Sequence, residues 1–81
     1  MKRAPSRAKR FANAQQKVAE ARCEIEELMD ELQNWYDSIP ENLQDGDKAN
    51  TLEESIQLLE EHIGILDEIE NSDVEFPGMF G

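Results

Sequence analysis

The sequence holds one cysteine, Cys23, so no intramolecular disulfide can staple the fold. Its one histidine, His62, has neither a second histidine nor a cysteine at zinc-ligand spacing. There is no glycine-rich phosphate loop and no Ser/His/Asp set. Asp45-Gly46-Asp47 is too short and lacks the alternating ligands of a calcium loop. Carboxylates are plentiful, but the pattern places them on helix faces with no pocket to shift their pKa. No catalytic residue, metal or cofactor is expected, and the chain does not read as an enzyme. No apolar run approaches the roughly 20 residues of a membrane span. The basic start, Met1 to Arg10, is followed by no apolar stretch of the signal-peptide kind. A soluble protein without membrane association is expected.

Basic residues are also scarce, and they are unevenly placed. Seven of the eight lie in residues 1–22 with one acid, Glu20, while residues 23–81 carry eighteen acids and Lys48. The net charge of -11 therefore belongs to the body of the chain. Residues 1–6 form a basic arm. It is a solvated terminus, a phosphate-binding arm or an arm docked on acidic protein. The chain's own carboxylates suffice to neutralise it, so direct nucleic-acid binding is not expected.

What the sequence does have is heptads. Phe11, Val18, Ile25, Leu32 and Ile39 fall seven apart, and Ala14, Ala21, Leu28 and Trp35 follow three residues later. The spacing predicts a long helix over 7–38 with an a/d seam against a second helix. Cys23 falls on its outer side, an ordinary exposed thiol. The i,i+4 pairs Glu20/Glu24, Glu27/Glu31 and Glu26/Asp30 each cost an isolated helix about 0.2–0.5 kcal/mol.

Pro40 ends this helix. Residues 39–49 read as a hinge: Ser38 and Glu41 fit a capping box, and Trp35, Tyr36, Ile39 and Leu43 are expected to plug that end of the core. A second capping box, Thr51 to Glu54, predicts a helix over 50–71. There Leu52, Ile56, Leu59, Ile63 and Leu66 form the inner stripe. Leu58, Ile65 and Ile69 form another beside it, so the apolar face is wider than one partner helix requires. A homodimer closing a four-helix bundle would bury it.

The acids Glu24, Glu27, Glu31, Glu53, Glu54, Glu60 and Glu61 line the outer faces, either as a solvated surface or as one that meets a basic partner. Asp67, Glu68 and Glu70 are expected beside Lys17 and Arg22 once the hinge closes. Residues 72–81 are an apolar tail. Phe76, Met79 and Phe80 either fold back on Phe11 and Val18 or dock in a partner's pocket.

Tyr36-Asp37-Ser38-Ile39-Pro40-Glu41-Asn42-Leu43-Gln44, followed by Leu52-Glu53-Glu54 and Leu59-Glu60-Glu61, resembles a hinge-and-helix pattern of small acidic helical-hairpin proteins of bacteriophages and bacteria. The resemblance covers about residues 28–70 and leaves out the arm and the tail. It implies a helical hairpin, a phage setting and a place in the host cytoplasm or the virion, and it brings no agreed activity. The expected protein is all-α, an antiparallel two-helix hairpin that binds a virion or host protein. Leu58, Ile65, Ile69, Phe76, Met79 and Phe80 are its candidate contacts. The alternative is a DNA mimic whose seven named glutamates stand in for phosphates and block a nucleic-acid-binding defence enzyme of the host.

Overall fold

A computed structural model describes residues 6–77. Two helices pack against each other, α1 over Arg7–Asp37 and α2 over Asp47–Glu70, joined by a 3-10 turn over Glu41–Leu43. The hairpin is a single layer of two helices. No helix among the described residues is long and apolar enough to cross a membrane.

Local chemistry sets the ends of both helices. Ser6 is extended and its hydroxyl accepts from the Lys9 amide at 3.1 Å, which satisfies one of the open donors of the first turn. At the other end of α1 the Ser38 hydroxyl donates to the Trp35 carbonyl at 2.8 Å. Ser38 thus caps the helix it ends, and the expected box with Glu41 does not form. The 3-10 turn follows Pro40 with no side-chain cap.

The start of α2 also differs from expectation. The helix begins at Asp47, with Gly46 as its N-cap, so Thr51 lies inside it and the Thr51–Glu54 box is unused. Two effects favour the earlier start. Asp47 places a negative charge in the first turn, and the extra turn carries Ala49 into the core at 1% exposure. At its C-terminus the Asn71 side-chain amide donates to the Asp67 carbonyl at 2.8 Å and the Ser72 hydroxyl to that of Ile69 at 3.1 Å.

The core is thin. Ala49 and Leu52, at 1% and 5% exposure, are the buried apolar residues among those described. Both sit at the hinge end, where Trp35, Tyr36, Ile39 and Leu43 were expected. Instead Trp35 is 48% and Leu43 57% exposed, while Tyr36 and Ile39 are half-buried.

The seam of α1 is the largest departure from the heptad reading. Phe11, Val18, Ile25, Leu32 and Ile39 do face α2, but the row beside them is Gln15, Arg22, Met29 and Tyr36. The expected d row of Ala14, Ala21, Leu28 and Trp35 is exposed. Both candidate rows flank the first at helical spacing, and their bonds separate them. The Gln15 amide donates to the carbonyls of Ile69 and Ser72, each at 2.9 Å, and so ties α1 to the chain at the end of α2. Arg22 finds Glu70, and Gln15 and Arg22 fill more space than the two alanines Ala14 and Ala21 would. On α2 the expected stripe of Leu52, Ile56, Leu59, Ile63 and Leu66 does line the seam, with Ala49 and Glu70 extending it.

Gly64 lies on the polar side of α2, and a Cβ built there meets nothing within 4 Å. Gly64→Ala is expected to stabilise the helix by about 0.5–1 kcal/mol. That corresponds to a melting temperature roughly 3–6 °C higher in a thermal scan followed by circular dichroism.

Candidate interaction face

Burial in α1 repeats every seven residues from Phe11 to Ile39, so each heptad row keeps its angle to the seam along the whole helix. Beyond the seam on one side lies the row Ala14, Ala21, Leu28, Trp35; on the other lie Ala12, Ala19, Glu26 and Gln33. On α2 the seam is flanked on one side by Lys48, Ser55, His62 and Ile69, with Thr51, Leu58 and Ile65 next to them. On the other side are Glu53, Glu60 and Asp67.

Contacts near the hinge show which flanks share a side. The Lys48 ammonium stands 5.6 Å from the centre of the Trp35 ring, within cation–π range. A groove at the same place is lined by Leu32, Trp35, Lys48, Thr51, Leu52 and Ser55. The row of Trp35 on α1 and the rows of Lys48 and Thr51 on α2 therefore lie on one surface of the hairpin. That surface carries Ala14, Ala21, Leu28 and Trp35 from α1 and Leu58, Ile65 and Ile69 from α2. Leu28 is 51% exposed, and Leu58 and Ile65 are each 54% exposed. The opposite surface carries Glu26, Gln33, Glu53, Glu60 and Asp67.

The tail end of the face has a different rim. A groove there is lined by Arg7, Arg10, Phe11, Ala14, Lys17 and Phe76. Its floor includes the Phe11 and Phe76 rings, 5.8 Å apart and tilted 59° to each other. Phe76 has thus folded back on Phe11, one of the two courses open to the tail. Met79 and Phe80 lie outside the described residues.

Arg22 joins the two helices electrostatically. Its Nε and Nη2 donate to the two carboxylate oxygens of Glu70, the latter at 3.1 Å, and its Nη1 donates to Glu26 at 2.7 Å. This fork holds the Glu70 carboxyl below its ordinary value of 4.5, chiefly through the Arg22 hydrogen bonds and against partial burial. The same bonds raise the Arg22 guanidinium above its ordinary value, so it remains charged at every working pH. The folded chain consequently takes up the Glu70 proton at lower pH than the unfolded chain does. The stability this supplies is complete above pH 4.5 and is lost as pH falls through the lower folded value. Glu70→Gln is expected to lose that acid dependence, and its melting temperature should fall less steeply than the wild type's as a titration proceeds below pH 5.

Leu58, Ile65 and Ile69, singled out from the sequence, thus share one surface. Glu24, Glu27, Glu31, Glu53, Glu54, Glu60 and Glu61 are exposed on several sides of the hairpin and are not brought together. Sequence reasoning missed the α1 half of the apolar surface because it assigned Ala14, Ala21, Leu28 and Trp35 to the seam. The available signal was the alternative row at Gln15, Arg22, Met29 and Tyr36, which repeats at the same spacing. Compared with family models, curated proteins and solved structures, the chain matches none.

Proposed function

We propose that this chain is a non-enzymatic protein-interaction module that binds protein through the apolar surface of its hairpin, with the C-terminal tail contributing. The observation that carries the reading is the gathering of Leu28, Trp35, Leu58, Ile65 and Ile69 on one surface while the opposite surface is polar. Large apolar side chains gathered on one side of two helices, interspersed there with Lys48, Ser55 and His62, are the composition of an interaction site with polar contacts within it. The likeness of the hinge to those of phage and bacterial hairpin proteins supports a phage setting, in which the partner is a virion or host protein. Affinity capture from the native source tests this with wild type and with Leu58→Glu/Ile65→Glu. A defined protein retained by wild type and lost by the variant is expected. The same set retained by both would sink the proposal.

A second reading is a DNA mimic. The seven outer glutamates named above are exposed and, among the described residues, none of them is in an ion pair, although they are spread over several sides of the hairpin. Binding of this kind competes with duplex DNA and weakens steeply with salt. Salt-insensitive binding without DNA competition removes it.

A further inference from the structure

Resting on the reading of the apolar surface as a protein-binding face, we propose that its occupant is a second copy of this chain, laid on it antiparallel. The hinge end of each hairpin then covers the tail end of the other in a four-helix bundle.

The hairpin alone leaves too much surface in water. Its radius of gyration is 19.3 Å, whereas a compact chain of this length has about 12 Å. Its accessible area is 6947 Å², against about 5,000 Å² for a folded monomer of this mass. An elongated two-helix rod of this kind has length enough for a stable interface, which removes about 800 Å² from each partner. A second copy supplies a surface of the same length, width and apolar character. A two-fold axis across the rods satisfies both at once.

One row of α1 sets the position of that axis. Along the apolar row the side chains run small to large: Ala14, Ala21, Leu28, Trp35. Antiparallel contact of α1 with its copy sets Trp35 against Ala14 and Leu28 against Ala21, with a midpoint between residues 24 and 25. The neighbouring edge row runs basic to acidic: Arg10, Lys17, Glu24, Glu31. An axis there also brings Lys17 within one residue of Glu31, while Glu24, at the axis, meets its own copy. The small-to-large row sets the register, and the Lys17–Glu31 pair is compatible with it.

The charge of the two ends chooses the orientation. The hinge half, residues 23–58, carries eleven acids and Lys48. The tail half, residues 6–22 and 59–77, carries eight acids and five bases, and three of those bases, Arg7, Arg10 and Lys17, rim the groove at Phe11, Ala14 and Phe76. A parallel dimer stacks one hinge half on the other and concentrates the acids. The antiparallel dimer lays each hinge half on the basic-rimmed groove, with Trp35 reaching its Ala14 floor. The outer edge of α2, Glu54, Glu61 and Glu68, meets its own copy across the axis. Screening by salt therefore strengthens the dimer.

Two measurements on the full chain test this. Light scattering on a sizing column should give twice the 9.3 kDa chain mass, with the dissociation constant falling several-fold between low and high salt. A monomer at every concentration and salt overturns the second copy and leaves the face open to the partner sought by the capture experiment above; a dimer that captures no other protein through Leu58 and Ile65 limits the interaction reading to self-association. Orientation is read by pulsed electron spin resonance on Ser38→Cys, spin-labelled in a Cys23→Ala background and checked for helix content by circular dichroism. Ser38 lies fourteen residues from the axis, so antiparallel packing places the two labels about 40 Å apart. Parallel packing places them about 20 Å apart, across one bundle width, and that result overturns the arrangement.

Discussion

Leu52→Ala is expected to cost about 2–4 kcal/mol and to leave most of the protein unfolded at 25 °C when dilute. Leu52 is 5% exposed and packs beside Ala49, the other buried residue described. Truncation there removes buried apolar contact under the hinge, beside the groove at Leu32, Trp35 and Lys48. A two-helix core supplies at most about 3–5 kcal/mol, so one such truncation consumes nearly all of it. Urea unfolding followed at the helix band checks this, with Leu43→Ala as the control. Leu43 is 57% exposed, so its truncation should stay within about 0.5 kcal/mol of wild type. Equal effects of the two variants would show that the buried centre lies elsewhere.

The second large effect belongs to the open surface. Leu58→Glu/Ile65→Glu should weaken self-association by about 1,000-fold. In the proposed dimer both residues of both copies would be buried, and each large apolar side chain is worth about 1.5–3 kcal/mol on full burial. Half of that, summed over four side chains, is about 3–6 kcal/mol, a range that spans the roughly 4 kcal/mol a 1,000-fold change requires. The added carboxylates increase the loss, because they would sit unpaired in an apolar interface beside a chain of net charge -11. In the monomer both sites are exposed, so helix content at high dilution should barely change. Sedimentation equilibrium over a concentration series gives the constant. Unchanged association would remove these two residues from the interface.

Much of the fold is legible in the sequence. The two helices, the break at Pro40, the inner stripe of α2 and the proximity of Arg22 to Glu70 all follow from periodicity, proline geometry and antiparallel closure. Three details do not, each for a physical reason. The start of α2 moves to Asp47 because burial of Ala49 outweighs the local pull of Thr51 as a cap. Ser38 turns its hydroxyl back to Trp35, since a serine between two helical turns serves either one equally well by its local geometry. The seam of α1 takes Gln15 and Arg22 over Ala14 and Ala21, which apolar patterning alone disfavours. Their advantage lies at the far end of α2, in the carbonyls of Ile69 and of Ser72 just beyond it and in the Glu70 carboxylate. A pattern read along one helix carries no record of the acceptors on another.

The same choice explains why the face is broad. With polar residues in the seam, an apolar heptad row of α1 is left over, and it falls on the side where α2 also has apolar rows to spare. The polar seam also fixes register: a one-residue slip separates Arg22 from Glu70 and Gln15 from the end of α2.

The register of α1 is the central claim, and it is tested most directly by side-chain nuclear Overhauser contacts within one chain. A sample mixing isotope-labelled and unlabelled copies separates these from contacts between chains. The expected result is that the Met29 methyl and the Tyr36 ring show intrachain contacts to the inner stripe of α2 at Leu52, Ile56 and Leu59, while Leu28 and Trp35 show contacts to the Lys48, Thr51 and Leu58 flank. Intrachain contacts from Leu28 and Ala21 to the inner stripe, with Met29 and Tyr36 pointing to solvent, would contradict it and return α1 to its simple a/d seam.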